Sequence, residues 1–172
     1  MKVLIVVDMQ NDFVDGALGS NEAVKIVDRV VAKVKNFDGK VIFTRDTHYD
    51  NYLETSEGKK LPVKHCIENT HGWEIIDSLK PFVKQVINKP TFGSIELSKL
   101  MTTLNNQESI DSIELIGLCT DICVISNAEI LKATLYETPI IVDAACCAGV
   151  TVESHNNALN AMEATQINVI NR

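Results

Sequence analysis

Apolar residues occur along this chain in short continuous runs that alternate with stretches of helical periodicity. Residues 2–7, KVLIVV, form a run typical of a strand that is buried on both faces of a parallel sheet. Similar runs predict five further strands, over residues 39–46, 83–89, 112–118, 139–144 and 167–171.

Helical periodicity appears between these runs. From Ala23, apolar residues fall at positions 23, 24, 26, 27, 30, 31 and 34, which is one stripe of a helix that Ser20 or Asn21 can cap. Further helices are expected over residues 94–104, with Ser94 as cap, from about 121 to 136, and over 152–164. Strands that alternate with helices favour a parallel sheet covered by helices on both faces, in one domain over residues 1–172.

Composition excludes several classes of protein. The 172 residues are 45% apolar and 23% charged, as in an ordinary globular domain, and the net charge of −7 argues against nucleic acid or an anionic membrane as partner. No apolar stretch approaches the roughly 18 residues of a membrane span, and the N-terminal run lacks a cleavage site. The five cysteines are odd in number and include no CxxC pair, which favours a reducing, cytoplasmic location over a disulfide framework.

Residues 47–70 are the exception to the alternating pattern. This segment is long, polar and weakly periodic, and a loop of more than about 12–15 residues in a compact domain is usually functional. It follows the second predicted strand, so it begins at the edge of the sheet where the strands end. Ligands of open parallel sheets bind at that edge.

Chemically capable side chains follow four of the predicted strands. Asp8 ends the first strand, Asp46 and His48 end the second, Lys89 ends the third, and the turn from Cys119 to Cys123 follows the fourth. An acid, a possible metal pair, a base and a thiol are therefore expected along one edge of the sheet.

Cys119 and Cys123 follow the fourth predicted strand, in the segment LCTDICV. They could form a zinc or disulfide site, or one of them could be a nucleophile. A cysteine beside an apolar helix is most often a small buried hydrophobe. Cys123, however, is predicted in the first turn of a helix, where the dipole favours a thiolate and backbone N–H groups can hold an oxyanion. Cys119 precedes the turn and is expected to supply a backbone amide.

Asp8 and Lys89 each have a structural alternative. Asp8 could cap a nearby loop, and Lys89 could be a solvated strand end. Paired with Cys123, Asp8 could accept the thiol proton while Lys89 stabilises the thiolate and keeps Asp8 ionised.

A metal site is the third candidate. Asp46 and His48 are two residues apart, so both side chains point to one side of an extended chain. His65, with Glu54 and Glu57 between, completes a set of ligands suited to zinc, manganese or iron(II), although these groups could also simply hydrogen-bond the loop closed. The other two histidines, His71 and His155, are expected to be capping or surface residues.

Five segments together resemble the isochorismatase-like cysteine hydrolases, and among them the nicotinamidases. They occur in that family's order and cover nearly the whole chain: VVDMQNDF (6–13), TRDTH (44–48), LPVKHC (61–66), INKPTFGS (87–94) and GLCTDICV (117–124). The resemblance implies a three-layer α/β/α fold with six parallel strands in the order 3-2-1-4-5-6. It also implies a homo-oligomer acting on a small-molecule amide.

The resemblance also implies a role for each site residue. Asp8, Lys89 and Cys123 match a catalytic triad that forms a thioester, with an oxyanion hole of the Cys119 and Cys123 amides and a cis peptide between Leu118 and Cys119. Phe13 matches an aromatic that packs on the substrate, and Leu61 stands in the substrate pocket where many members have tryptophan. Metal ligands are implied at Asp46, His48 and His65, and the fourth is expected to be Glu57, with Glu54 as the alternative.

Three other functions remain open at this stage. Some branches of the family hydrolyse ureido or carbamoyl amides, and they usually lack the D-x-H and distal histidine set. Isochorismatases hydrolyse a vinyl ether and do not need the thiol of Cys123. A non-catalytic, metal-binding member is expected to have a broken triad, whereas all three positions are intact here.

Overall fold

A computed structural model describes all residues, 1–172, as a six-stranded sheet covered by helices. All strands are parallel, in the order β3-β2-β1-β4-β5-β6, as predicted. The strands are β1 Lys2–Val7, β2 Lys40–Asp46, β3 Val86–Lys89, β4 Ser112–Leu118, β5 Ile140–Ala148 and β6 Asn168–Ile170.

Six α-helices and three other helical turns connect the strands. The α-helices are α1 Asn11–Val14, α2 Asn21–Asn36, α3 Ser56–Lys60, α4 Ile95–Gln107, α5 Ile125–Thr134 and α6 Val152–Ala164. Two 3₁₀ turns lie at Tyr52–Glu54 and Lys80–Phe82, and a π-helical turn at Thr120–Val124 leads into α5. No helix combines the length and the apolar character needed to cross a membrane.

Two hydrophobic clusters, one on each face of the sheet, make the three-layer α/β/α arrangement. Val3, Ile5 and Val7 of β1 pack with α4, α5 and α6 on one face. Leu4 and Val6 pack on the other face with α2 and with residues 75–79. The central strand β1 is therefore buried on both faces, as its continuous apolar run predicts.

Helix α2 begins where the sequence allowed two caps, and Ser20 is the one used. Its hydroxyl accepts a hydrogen bond of 3.0 Å from the Ala23 N–H, which satisfies one of the free amides of the first turn.

Several element boundaries differ from those expected from the sequence, among them the end of α4, which lies at Gln107 rather than residue 104. β3 begins at Val86 rather than residue 83, because the turn Lys80–Phe82 occupies the chain before it. β5 extends to Ala148, through two buried cysteines. The helix expected from about 121 begins as a π-helical turn and ends at Thr134, and such widened turns occur often at functional sites.

Gly117 allows β4 to lie close to β1 beside the site. Its φ of +115° lies in the region that side chains rarely adopt, and it pairs with Val7, the residue before Asp8. A Cβ at this position would collide with the Val7 carbonyl oxygen. Glycine is therefore required here for both conformation and space.

We expect Gly117→Ala to lower the free energy of unfolding by more than about 2 kcal/mol, because backbone strain and a backbone clash act together. Urea denaturation measures the change. Gly93→Ala is the matched control, since a Cβ there would meet chiefly the flexible tip of Ile130. Equal losses in the two variants would contradict the assignment of strain to Gly117.

Candidate active site

Three side chains from three strand ends meet in the interior of the protein. The Lys89 Nζ lies 2.7 Å from the Asp8 Oδ2 and 3.4 Å from the Cys123 Sγ. The exposed fractions of Asp8, Lys89 and Cys123 are 0%, 1% and 4%. The parallel sheet brings them together because β1, β3 and β4 all end at the same edge.

The Lys89 ammonium also contacts groups beyond Asp8 and Cys123. It lies 3.3 Å from the Asp46 Oδ1 and donates a hydrogen bond of 3.0 Å to the Thr91 carbonyl. Burial alone would lower the pKa of Lys89, but Asp8, Cys123 and Asp46 raise it well above its usual value. Lys89 is therefore a fixed positive charge between two carboxylates and the thiol.

Asp8 is held in a strained backbone conformation and in a dry environment. Its φ is +47°, in the left-handed region that aspartate tolerates better than most residues. The Thr44 hydroxyl donates a hydrogen bond of 2.7 Å to its Oδ1. Burial raises the pKa of Asp8, and the Lys89 charge opposes that rise. A carboxylate with a raised pKa is well suited to accept a proton.

Cys123 differs electrostatically from the sequence-based expectation of a thiolate. Burial raises the pKa of its thiol well above the usual value, and Lys89 acts in the opposite direction. The turn that carries Cys123 is π-helical, with hydrogen bonds of 3.1 and 3.0 Å from the Ile122 and Val124 N–H groups to the Cys119 carbonyl. The thiol therefore needs a nearby base in order to react.

Cys119 presents its backbone rather than its sulfur. A cis peptide bond joins Leu118 and Cys119, and the Cys119 N–H donates no hydrogen bond to another group of the chain. Burial raises the pKa of its thiol to about 12, which keeps the sulfur protonated. Its free amide is available to an oxyanion beside Cys123.

Four further side chains make a compact cluster beside the triad. Asp46, His48, Glu57 and His65 place one ligand atom each within 4.8 Å of the others. The His48 Nε2 is 3.0 Å from the Asp46 Oδ2 and 3.5 Å from the Glu57 Oε1, and the His65 Nε2 is 3.6 Å from each of the same oxygens. Glu54 does not belong to this group.

The spacing of these atoms fits a tetrahedral ion. With bonds of about 2.0–2.2 Å, the ligand atoms of a zinc ion lie about 3.3–3.6 Å apart. The buried His48 Nε2 makes no hydrogen bond. The Asp46 carboxylate lies 3.0 Å away but is not aligned with it as donor and acceptor. The His65 Nδ1 lies 2.8 Å from the Val63 carbonyl, which turns its Nε2 toward the cluster. The donor set therefore fits a divalent metal.

Protons compete with a metal for this cluster. Burial would lower the pKa of His48, but Asp46 and Glu57 raise it to about 9. Burial would raise the pKa of Asp46, yet the two imidazoles and Lys89 hold it well below its usual range. Asp46 is therefore ionised and ready to ligate, whereas His48 must lose a proton when a cation binds.

Local structure explains why Glu57 rather than Glu54 reaches the cluster. The Thr55 hydroxyl accepts a 3.0 Å hydrogen bond from the Gly58 N–H and caps α3, so Glu57 lies in the first turn of that helix. Glu54 ends the preceding 3₁₀ turn. The long polar loop thus contains two short helical turns that aim one of its acids inward.

Two aromatic side chains pack against the histidines of the cluster. The Phe13 ring centroid is 5.6 Å from that of His65, and Tyr52 lies 4.7 Å from His48 and 5.0 Å from His65. The Tyr52 hydroxyl donates to the Leu61 carbonyl at 2.9 Å, while the Leu61 side chain is 39% exposed. Phe13 is thus buried at the cluster, whereas Leu61 lies at the surface.

Sequence reasoning missed three residues that support the site, namely Thr44, Gln10 and Tyr52. The Gln10 side chain holds the Asp46 backbone at both groups, accepting from its N–H at 2.7 Å and donating to its carbonyl at 2.9 Å. Thr44 lies two residues before Asp46 in β2, so strand periodicity was an available signal for it. Gln10 lies beyond the end of β1 and had no such signal, and neither had Tyr52.

The other two histidines differ from each other. His71 is exposed, as expected. His155 is half-buried, and its Nδ1 lies 2.7 Å from the Thr120 Oγ1.

Comparison with known proteins gives consistent likenesses. The isochorismatase domain model matches residues 2–172. The nicotinamidase of Schizosaccharomyces pombe is 28% identical over 205 residues, which cover 97% of this chain and 91% of that protein.

Solved structures show the same architecture. The pyrazinamidase of Pyrococcus horikoshii in complex with zinc has a TM-score of 0.81 and 27% identity, and the match covers 98% of both chains. The N-carbamoylsarcosine amidase of Thermoplasma acidophilum has a TM-score of 0.75 and 28% identity, covering 98% of this chain and 95% of that one. These likenesses extend over nearly the whole of each chain.

We expect Glu57→Gln to weaken zinc binding by at least about tenfold, because the carboxamide removes a charged ligand. Glu54→Gln, three residues earlier, is the matched control and should leave affinity unchanged. Calorimetric titration of metal-free protein with zinc measures both variants. Equal affinities in Glu57→Gln and the parent protein would contradict the place of Glu57 in the cluster.

Proposed function

Because this chain belongs to the isochorismatase family, we propose that it is a cysteine amidohydrolase that converts nicotinamide and water to nicotinate and ammonia. One observation carries the proposal. A buried thiol, ammonium and carboxylate, with contacts of 2.7 and 3.4 Å, adjoin a four-ligand metal cluster, and Lys89 contacts both groups. The nicotinamidase and pyrazinamidase relatives support the same substrate class.

Acylation begins with a proton transfer from Cys123 to Asp8. The thiolate sulfur attacks the amide carbon, and Lys89 stabilises the negative charge while it is on sulfur. The charge then moves to the carbonyl oxygen, which the Cys119 and Cys123 N–H groups are proposed to hold. Asp8 returns the proton to the amide nitrogen, the C–N bond breaks, and ammonia leaves a thioester on Cys123.

Hydrolysis of the thioester repeats these steps with water. Asp8 removes a proton from water, whose oxygen attacks the thioester carbon. The C–S bond breaks, Asp8 returns the proton to the sulfur, and nicotinic acid leaves and loses its own proton to solvent to become nicotinate. The raised pKa of Asp8 suits this residue to both directions of transfer.

The cluster of Asp46, His48, Glu57 and His65 is proposed to hold a zinc, manganese or iron(II) ion. Such an ion supplies a Lewis-acid position that can hold a ring nitrogen. Phe13, buried beside His65, is proposed to pack on the substrate ring. Leu61, which is 39% exposed, is proposed to contact the substrate from the surface side of the cluster.

This cluster favours nicotinamide over a carbamoyl substrate. Sequence identity does not distinguish the two substrates. The N-carbamoylsarcosine amidase and the nicotinamidase of Schizosaccharomyces pombe are both 28% identical to this chain. A divalent ion in the cluster would bind a ring nitrogen, which nicotinamide offers and a carbamoyl group lacks, so the cluster supports a nitrogen heterocycle as substrate.

The substrate is tested by ammonia release from nicotinamide, pyrazinamide, benzamide and a ureido compound, with and without added metal. We expect turnover of both nitrogen heterocycles and a strong loss after chelation. Benzamide, which lacks the ring nitrogen, is the matched control and should have a much higher KM. Full nicotinamide turnover by metal-free protein would defeat the proposed role of the cluster.

Cys123→Ala is expected to abolish turnover, because no other thiol adjoins both Asp8 and Lys89. Cys119→Ala, the matched control, keeps the backbone amide and should retain a large fraction of the activity. Initial rates of ammonia release measure both. Activity in the Cys123→Ala protein would contradict the proposal that the enzyme is a cysteine hydrolase.

Asp8→Asn and Lys89→Ala should each reduce kcat at least about 10²-fold, the lower range for general acid–base catalysis. The two residues act as one unit, so the double variant should be little worse than the poorer single one. Circular dichroism checks that each variant folds. Strictly multiplicative losses would show that the two side chains act separately.

A further inference from the structure

The connection between β5 and α6 touches the turn that carries the two site cysteines. His155, in the first turns of α6, places its Nδ1 2.7 Å from the Thr120 Oγ1. Thr120 is completely buried, and its hydroxyl has no other hydrogen-bond partner. Loss of that partner would leave a buried hydroxyl without a hydrogen bond, which is unfavourable.

Two neighbouring contacts strengthen this attachment. The Val150 N–H donates a hydrogen bond of 3.1 Å to the Asp121 Oδ1. Gly149 packs so tightly on the His155 backbone that a Cβ would lie 2.8 Å from the His155 nitrogen. Two of the three residues between Cys119 and Cys123, Thr120 and Asp121, are thus held by the β5–α6 connection and the start of α6.

The position of Thr120 gives this attachment its significance. Thr120 directly follows Cys119, whose N–H is free. The Thr120 carbonyl accepts a hydrogen bond from the Ile125 N–H, which closes the π-helical turn. Because Thr120 is bonded to Cys119 and belongs to the turn that carries Cys123, a displacement of its backbone would move both the Cys119 amide and the Cys123 sulfur. Misplacement of catalytic groups by 1 Å can cost about 10²-fold in rate.

On the basis of the proposed amide hydrolysis, we propose that His155 is a positioning residue that acts through Thr120 to hold the oxyanion-binding turn. It touches neither the thiol nor the metal cluster. Burial lowers the pKa of His155, so its ring is neutral at neutral pH, with one nitrogen free to accept and one able to donate.

A surface cleft makes the proposal testable by chemical rescue. A space of about 290 Å³, lined by Arg29, Gly149, Thr151 and His155 among others, adjoins the histidine. Truncation of the His155 side chain would enlarge this cleft next to the Thr120 hydroxyl. Free imidazole can then occupy the vacated place.

The experiment compares His155→Ala, Thr120→Val and the double variant, with nicotinamide as substrate. We expect kcat to fall about 10- to 100-fold with KM within about twofold, because oxyanion stabilisation acts in the transition state. The double variant should be no worse than the poorer single one. Imidazole should restore His155→Ala but not Thr120→Val, and Thr120→Ser should stay close to the parent protein.

His71→Ala is the matched control, since His71 is exposed and outside the site, and imidazole should not change its rate. Single variants with kcat within twofold of the parent, or a rescue of Thr120→Val as large as that of His155→Ala, would overturn the positioning role. If Thr120→Val does not fold, the rescue of His155→Ala alone decides between these outcomes.

If the proposed function is wrong, the parent protein will release no ammonia from any amide, and this result is distinct from those above. In that case amide hydrogen exchange over residues 119–124 tests the contact directly. Faster exchange in His155→Ala, with an unchanged Tm and slowing by imidazole, supports the attachment. Unchanged exchange overturns it.

Discussion

The buried ammonium of Lys89 is the interaction on which the site depends. Removing a charged lysine from water is costly, and only close partners of opposite charge offset the cost. Lys89 finds them in Asp8 at 2.7 Å and Asp46 at 3.3 Å, with the Thr91 carbonyl and the Cys123 sulfur completing its surroundings. These partners come from the ends of β1 and β2 and from the turn after β4, which the parallel sheet brings to the end of β3. The chemistry of the site depends on the charge that they share.

The two carboxylates around this charge have opposite environments. Asp8 is surrounded by buried groups and has a raised pKa, whereas Asp46 faces two imidazoles and has a lowered one. Environments that separate the pKa values of paired acids assign them different tasks. Asp8 is suited to moving a proton, and Asp46 is suited to remaining an anion beside a cation. The clamp of Gln10 on the Asp46 backbone keeps the two carboxylates in a fixed relation.

The apolar runs predicted the strands, the family resemblance predicted their order, and the convergence of Asp8, Lys89 and the cysteine turn follows from the strand ends. The π-helical turn could not be predicted, since its hydrogen bonds leave no periodic pattern in TDICV. Glu57 was expected from the resemblance alone, because in the residue pattern it and Glu54 are two acids of one polar loop, which the capped turn of α3 separates. His155 looked like a surface residue because its partner, Thr120, is 35 positions away.

The metal cluster has a consequence for how the chain holds its shape. Asp46 belongs to the sheet, whereas the other three ligands come from the loop that follows it, and His65 lies 19 positions further along the chain. An ion bound there would act as a crosslink across a segment that also contains two short helical turns and backbone hydrogen bonds that join His48 to Cys66 and Glu68. Crosslinks of this kind stabilise by restricting the unfolded chain. Resistance of this loop to proteolysis would then vary with metal supply, so that the supply of a trace element would govern the lifetime of the protein as well as its chemistry.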